Sequence, residues 1–433
     1  MPRYCVIGAG PAGLASVKTL LDSGMDFDCF ERRDALGGHW NTDYDMLHLI
    51  TSRNVTGYDG FPMPAHYPLF PSRAQMLEYI NLYADAFGLR KHVTFGAGVD
   101  AVVPVPAEGP TGSAGWEVAV ADGRVRRYDG VFVASGHLWD PKVPAFPGAY
   151  SGHQVHSGSY RNPRESVQGE RVLVVGSGNS GCDIAVDNAQ NYKQVDIVVR
   201  RGHYFQPKTF FGKPRAELPF MKEFTFDEQD LLSRLLIRIA VGTWEDYPGL
   251  PEPDHHMLKD GPPVVNELLL YWIRHGRIKV RPGIERLDGT TVHFTDGTRG
   301  EYDTIAWATG FHASLPFLDP GLLELQDGVP LRVAAAVLPL NLEKLYLIGL
   351  IAPRGAQPPV YPIQAELAVA MARLHAADPR GWTRVCGRFM ETDEREWRID
   401  ILRPTWLEQV ERTRGRLLQM ALEAREREAQ RAR

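Results

Sequence analysis

Two stretches of the chain are built to one plan, and together they constrain the fold more than any other feature. "RYCVIGAGPAGLASVKTLLDSGMDFDCFER" runs from Arg3 to Arg32, and "ERVLVVGSGNSGCDIAVDNAQNYKQVDIVVRR" from Glu170 to Arg201. Each is an apolar run, a glycine-rich turn, a helix-forming stretch and a second apolar run. In the first, Gly8, Gly10 and Gly13 have the spacing G-x-G-x-x-G, with Pro11 and Ala12 inside it. The first glycine permits a tight turn, the second lets the backbone approach a pyrophosphate, and the third lets helix and strand pack closely. The helix start then offers free N–H groups and a positive dipole end to phosphates. Glu31 closes the second apolar run 18 residues after Gly13, where a carboxylate can grip ribose hydroxyls. A glycine-rich surface turn is the competing reading. The flanking strand and helix and the distance to the acid argue against it.

The second unit carries Gly176, Ser177, Gly178, Asn179, Ser180 and Gly181, and its closing run ends in Arg200 and Arg201 instead of an acid. Guanidinium suits a phosphate dianion rather than a ribose hydroxyl. The first unit is therefore predicted to hold FAD, and the second NADPH. A solvated strand end is the alternative for the two arginines. Two nucleotides in one chain imply that one reduces the other.

The remaining composition is that of an ordinary enzyme. The 433 residues are 44% hydrophobic and 23% charged, with net charge −5, which exerts no pull toward nucleic acid or an anionic membrane. No apolar run reaches the ~18–20 residues needed to span a bilayer. A strand begins almost at once, which predicts no leader segment. Cys5, Cys29, Cys182 and Cys386 are scattered, without C-x-x-C, so a dithiol redox pair, a zinc cluster and a disulfide framework are not expected. A cytoplasmic location fits. No metal site is expected, because neither His153 with His156 nor His255 with His256 has a third ligand at sensible spacing.

Along the chain, residues 41–71 are aromatic and proline-rich and cannot be regular throughout. Trp40, Tyr58, Phe61, Tyr67 and Phe70 are candidates either for a substrate channel or for packing under a long loop. Ser72 is an N-cap candidate for the helix that follows. Asp122-Gly123 marks a hairpin turn, and residues 285–311 repeat the hairpin, strand and small-residue turn of 116–136, a duplication at domain scale. Residues 264–278 read as an amphipathic helix, and 407–433 as a charged helix open to three readings, packing on the body, fraying or pairing as a homodimer, with a solvated end the expectation. The predicted fold is α/β, with two Rossmann-like dinucleotide-binding domains. An NADPH domain (166–301) is inserted in a discontinuous FAD domain (1–165 and 302–433).

At this point the sequence resembles the flavin-containing monooxygenases, within the class B flavin-dependent monooxygenases. "GAGPAG" and "GSGNSGCDIA" are similar to that family's nucleotide fingerprints. "GGHW" matches its flavin-side GGxW, and "VFVASGH" and "IAWATGF" its interdomain linkers. "YSGHQVHSGSY" fits the signature F-x-G-x-x-x-H-x-x-x-Y, with Tyr150 for the usual Phe, then Gly152, His156 and Tyr160. The resemblance implies flavin contacts from Gly38, Trp40, Thr51 and Gln364. It also implies that NADPH reduces the flavin, which then adds O2 as a C4a-hydroperoxide and oxygenates an amine nitrogen or sulfide sulfur of a small molecule. The chain departs from the family at Ile50, where an Asn usually lies beside the flavin. Asn54 is out of register, and Thr51 or Ser52 is the candidate stand-in, Ser52 being the candidate catalytic residue. Baeyer–Villiger oxidation of a ketone is the alternative, though its signature usually ends in Trp where this chain has Tyr160. A poorly coupled NADPH oxidase is another alternative. A non-enzymatic flavin sensor would bind FAD without NADPH reduction, and a disulfide reductase would need the missing cysteine pair.

Overall fold

The computed structural model describes residues 2–106, 114–261, 263–377 and 384–431. The first apolar run is strand β1 (Arg3–Ile7), buried at four of its five residues. Helix α1 (Pro11–Asp22) and strand β2 (Asp26–Phe30) follow, with β2 parallel to β1 from Arg3–Asp26 to Ile7–Phe30. Helix α2 (Arg73–Ala86) starts at Ser72 as expected, and Gln75 completes a reciprocal capping box. Strand β3 (Val93–Thr94) adds outside β2, and β4 (Gly130–Val133) pairs with the other edge of β1. Between β3 and β4 lies a meander of Val99–Val105, Gly115–Val120 and Val125–Tyr128. Its Trp116 and Val118 share a core with Cys5, Ile7 and Val133 of the sheet.

The chain then builds a second sheet from β5 (His153–His156), β6 (Arg171–Val175), β7 (Gln194–Val198), β8 (Ile278–Arg281) and β9 (Thr304–Trp307). Helix α3 (Asn179–Gln190) links β6 to β7. A segment containing α4 (Phe226–Val241), then the short α5 (Leu268–Arg274), lies between β7 and β8. All neighbours are parallel, in the order β5-β9-β6-β7-β8. Strand β10 (Leu345–Leu347) returns to pair with β4, completing the first sheet as β10-β4-β1-β2-β3. Strands covered on both faces need apolar residues at successive positions, so these runs show no alternation.

Two strands lie where the sequence did not put them. β5 and β9 pair with each other and belong to the second sheet. The boundaries expected at 165/166 and 301/302 each fall one strand off. We place the crossovers ahead of Gly148 and just after Trp307. The crossing segments are themselves paired, antiparallel, through Asp140–Pro141 and Phe311–His312, and the Lys142 amide donates to the Gly310 carbonyl at 3.0 Å.

The helix expected over 264–278 is shorter. Val264–Val265 pair as a strand with Phe205–Gln206, and Gly276, at φ +68°, breaks the far end. The C-terminal helix α7 (Arg403–Arg431) is not a solvated extension over its first half. Trp406, Val410, Leu417 and Met420 are buried on one face, against α6 (Val360–Ala377), which in turn packs on α1. The segment between β7 and α5 has a small core of its own, including Phe210, Leu218, Leu236 and Met257. No helix among the described residues is long and apolar enough to cross a membrane.

Candidate active site

The two glycine turns are near copies at atomic detail. Gly8 has φ +97°, and a Cβ there would lie 2.7 Å from the Ala134 carbonyl oxygen at the end of β4. Gly176 has φ +111°, and its Cβ would lie 2.4 Å from the Ala308 oxygen after β9. A Cβ on Gly13 would meet the Gly8 oxygen at 1.8 Å, and one on Gly181 the Gly176 oxygen at 2.0 Å. The middle glycines differ. Gly10 faces only the Gly38 backbone, at 3.6 Å, and Gly178 has nothing within 4 Å. Each middle glycine is the N-cap of its helix, and no side chain caps either helix. Free first-turn amides beside an open, side-chain-free surface form a cradle for a diphosphate. In the first unit Pro11 takes a helix position whose N–H would be unpaired, and Ala12 and Gly13 follow it. In the second, Asn179 and Ser180 occupy those places, with Ser177 before the cap.

Glu31 is buried at the end of β2. It accepts from the Ala9 amide at 2.7 Å and the Arg33 amide at 2.9 Å, so its carboxylate is pinned against the first turn. Arg200 and Arg201, just past β7, are exposed and make no hydrogen bond or ion pair among the described residues. Gly38 and Trp40 lie in a single helical turn (Gly38–Asn41). The Gly38 backbone abuts Gly10, and Arg73 donates to the Trp40 carbonyl at 3.0 Å. Tyr58 adds a contact the sequence reading missed, since its hydroxyl donates to the Pro11 carbonyl at 2.7 Å while its ring stacks on Tyr83 at 4.0 Å. Tyr58, Phe61 and Tyr67 are thus core packing under the loop, and Phe70 faces the Lys208 ammonium at 5.2 Å.

Ile50 is exposed, and Thr51 pairs its hydroxyl with that of Thr56 at 2.8 Å. Ser52 is buried at the N-cap position of a short turn (Arg53–Thr56) that its side chain does not cap, and it gives its hydroxyl to Glu217. Asn54 donates to the other Glu217 oxygen at 2.9 Å. The hydroxyl expected to be catalytic is therefore taken up in a contact that joins the 41–71 loop to the segment after β7. Gln364 is fully buried in α6. Its oxygen accepts from the Gly349 amide at 2.9 Å, and its Nε2 has no partner among the described residues. A buried amide with an open donor is what a polar cofactor edge would satisfy. The open diphosphate cradles, the pinned Glu31, the open Gln364 donor and the unpaired arginines fit one nucleotide at each turn.

The signature residues hold the second unit together. A Cβ on Gly152 would lie 2.4 Å from the Tyr150 hydroxyl, which donates to the Tyr302 carbonyl at 3.0 Å. His156 accepts from the Gly158 amide at 3.1 Å and meets Phe311 edge-on at 5.0 Å; burial lowers its pKa. Tyr160, fully buried, donates to Asp187 at 2.9 Å and accepts from Asn188 at 3.1 Å, tying the stretch after β5 to α3. Tyr160→Phe is expected to cost about 1–3 kcal/mol, because it leaves a buried carboxylate short of a donor. Chemical denaturation would show the loss, with the flavin content of the folded protein unchanged. Unaltered stability would mean the contact carries no weight.

A polar cluster gathers beside the start of α3. Tyr44 donates to Asp183 at 2.9 Å and Asn266 donates to its other oxygen at 2.8 Å. Burial pushes the Asp183 carboxyl up to about 6, against the pull of the Tyr44 bond and the Lys208 charge. Asn179 accepts from the Val265 amide at 2.9 Å. All four cysteines are free and buried. Among the described residues no group of three or more His, Cys, Asp or Glu is placed to hold a metal.

Comparison with known proteins adds three findings. The FMO-like family model, described as flavin-binding monooxygenase-like, matches residues 2–379. Flavin-containing monooxygenase 5 of Oryctolagus cuniculus is 34% identical over 393 residues, covering 84% of this chain and 72% of that protein. Dimethylaniline monooxygenase (N-oxide-forming) 2 of Rattus norvegicus is 33% identical over the same shares of the two chains. Among solved structures, a flavin-containing monooxygenase from Stenotrophomonas maltophilia superposes with TM-score 0.66 at 21% identity, covering 87% of this chain and all of that one. An open crystal structure of cyclohexanone monooxygenase gives TM-score 0.71 at 18% identity over 98% of each chain. At those identities the superpositions speak for the fold alone.

Proposed function

The chain belongs to the flavin-binding monooxygenase-like family, whose members use FAD and NADPH, and on that premise we propose that it oxygenates a soft nucleophile, an amine nitrogen or a sulfide sulfur, of a small molecule. One observation carries the reading: two uncapped glycine cradles of matching backbone geometry, one closed by a carboxylate and the other by unpaired arginines. Hydride acceptance from the nicotinamide and activation of dioxygen would be supplied by FAD when bound, so the hard chemistry would belong to the cofactor.

The protein's part is to bind, orient and exclude water. Gly8, Gly10, Pro11, Ala12, Gly13 and Glu31 would hold the nucleotide half of FAD. Gly38, Trp40, Thr51 and the Gln364 amide would hold the flavin side. Gly176, Ser177, Gly178, Asn179, Ser180 and Gly181 would take the NADPH diphosphate, and Arg200 and Arg201 its 2′-phosphate. Ser52 keeps a positioning role through Glu217, which closes the segment after β7 over the 41–71 loop. Such closure keeps solvent from the reacting atoms. The absence of any Ser-His-Asp or paired-carboxylate requirement in this chemistry agrees with the hydrogen bonds that already engage the Ser52 hydroxyl and His156 Nδ1. A cytoplasmic setting agrees with four free thiols.

The test is NADPH consumption by the FAD-loaded protein across amines, sulfides, N-hydroxylatable amino acids and ketones, with products identified by mass. Stimulated consumption with an N- or S-oxide is expected. A product from ketones alone would install Baeyer–Villiger oxidation in its place. Hydrogen peroxide matching the NADPH consumed, with every substrate unchanged, would leave only an oxidase.

A further inference from the structure

We propose that Asp183 is a positioning residue for reduction of the flavin: through Tyr44 it holds the flavin-side loop to the start of α3, firmly as a carboxylate and loosely as an acid. The proposal rests on the second glycine unit being the NADPH site. Its basis is a side chain that crosses between the units. Tyr44 belongs to the loop between β2 and α2, yet it is buried in the core of the second unit with Val172, Val174 and Ile184. Trp40, earlier in the same loop, packs on the core of the first. Hydrogen bonds stiffen the stretch between them. It is pinned to the first cradle where the Gly37 amide donates to the Ala9 carbonyl at 3.2 Å. The Asp43 amide then donates to the His39 carbonyl at 3.0 Å, and the His39 ring meets the Asp43 carboxylate at 2.6 Å. A shift of α3 under Tyr44 is therefore carried to the turn beside Gly10.

Asp183 has two donors aimed at it, Tyr44 on one oxygen and Asn266 on the other. As an anion it accepts both, and bonds to an ionised acceptor are roughly twice as strong as neutral ones. As an acid it carries a proton of its own, which must face one of those donors. Asn266 cannot turn away, because its carbonyl oxygen already accepts from the Leu269 amide at 2.9 Å. A tyrosine hydroxyl can both donate and accept, and the Ser180 hydroxyl, in the first turn of α3, offers Tyr44 another acceptor at 3.5 Å. Proton uptake therefore falls on the one bond of Asp183 that joins the two units. Burial brings the change into the physiological range by raising the Asp183 carboxyl to about 6. The charged groups facing it are His48 of the same loop and Lys208 of the segment after β7, both of which favour the anion, while Glu267 acts on Lys208. Cys182, beside it in α3, stays a neutral thiol, pushed up by burial.

The experiment is rapid-mixing reduction of FAD-loaded protein by saturating NADPH between about pH 5 and pH 8, paired with calorimetric binding of NADP⁺. The wild-type rate is expected to fall about tenfold as pH drops through the Asp183 transition, the difference between a charge-assisted and a neutral hydrogen bond. Asp183→Asn, which mimics the acid, and Tyr44→Phe should both be slow and flat across the range, with NADP⁺ affinity within about twofold of wild type. His48→Gln should keep the step, which separates it from a histidine titrating in the same range. Stability gives a readout that needs no turnover. A carboxyl raised in the fold keeps a proton that the unfolded chain has shed, so its contribution is present below the usual carboxylate range and is lost as pH rises through about 6. Chemical denaturation across that window should show this slope in the wild type and its loss in Asp183→Asn. A flat wild-type rate, or a step that survives in Asp183→Asn, would overturn the proposal and leave the nucleotide reading intact. NADP⁺ affinity lost in step with the rate would also overturn it, reducing Asp183 to a support of the cradle. A wild-type protein that binds no NADP⁺ would instead remove the reading of the second unit, and the proposal with it.

Discussion

Gly181→Ala is expected to yield a yellow protein whose flavin NADPH no longer reduces efficiently. The added Cβ would lie 2.0 Å from the Gly176 oxygen and 2.8 Å from its carbonyl carbon. Both atoms are backbone, so no side chain can rotate out of the way. Relief requires α3 to move off β6 or the turn to open, at a cost near the top of the ~1–3 kcal/mol range for overpacking. Either movement displaces the first-turn amides from the place where a diphosphate would sit. A loss near 3 kcal/mol corresponds to about 100-fold in affinity. The first unit should be spared, because its sheet and its buried clusters are made of other residues. Flavin retained per mole of protein, together with rapid-mixing reduction by NADPH, measures both halves of the result. The mirror change, Gly13→Ala, with a contact of 1.8 Å to the Gly8 oxygen, should instead give protein that purifies without flavin. Normal reduction of the Gly181→Ala protein would show that the second turn is not where the nicotinamide nucleotide docks.

The second large effect is on choice of nucleotide. Arg200→Ala and Arg201→Ala should each weaken NADPH far more than NADH, by about 2–3 kcal/mol for a charge-assisted bond. Both side chains are exposed and unpaired among the described residues, so their removal breaks nothing inside the protein and the effect reads on the ligand alone. Affinity for NADPH should also fall as salt is raised, and the variants should lose part of that salt dependence. Equal losses for NADPH and NADH would mean that the 2′-phosphate lies elsewhere.

What could be read from the sequence was local. A turn whose three glycines, flanking strand and following helix lie within about twenty residues leaves its whole geometry in the pattern, and Gly8, Gly13, Gly176 and Gly181 all have the steric reason their spacing suggests. The Ser72 cap lies three residues from its partner Gln75 and was legible for the same reason. The domain crossings were placed only to within one strand, because β5 and β9 are short and nothing local shows which sheet will take them. The contacts that close the site were not legible. Tyr44 and Asp183 are 139 residues apart, and Ser52 and Glu217 are 165 apart. Each pair depends on how the proline-rich 41–71 loop and the segment after β7 fold, and apart from α4 neither carries a helical or strand period. Tyr160 shows the opposite failure. Its motif was visible, but its work, a buried bond to Asp187, appears only once α3 is packed against the stretch that follows β5.

The paired crossovers have one more consequence. The chain passes between the two units twice, and the passages lie side by side, joined through Asp140–Pro141 and Phe311–His312 and continuing into β5 and β9 as neighbours in one sheet. The molecule is bound like a book along that line, with the Tyr44–Asp183 and Ser52–Glu217 contacts as clasps away from it. Any swing of one nucleotide cradle relative to the other that keeps those bonds must pivot about that line, so the covers can open or shut on what lies between them, while sliding or corkscrewing would tear the binding.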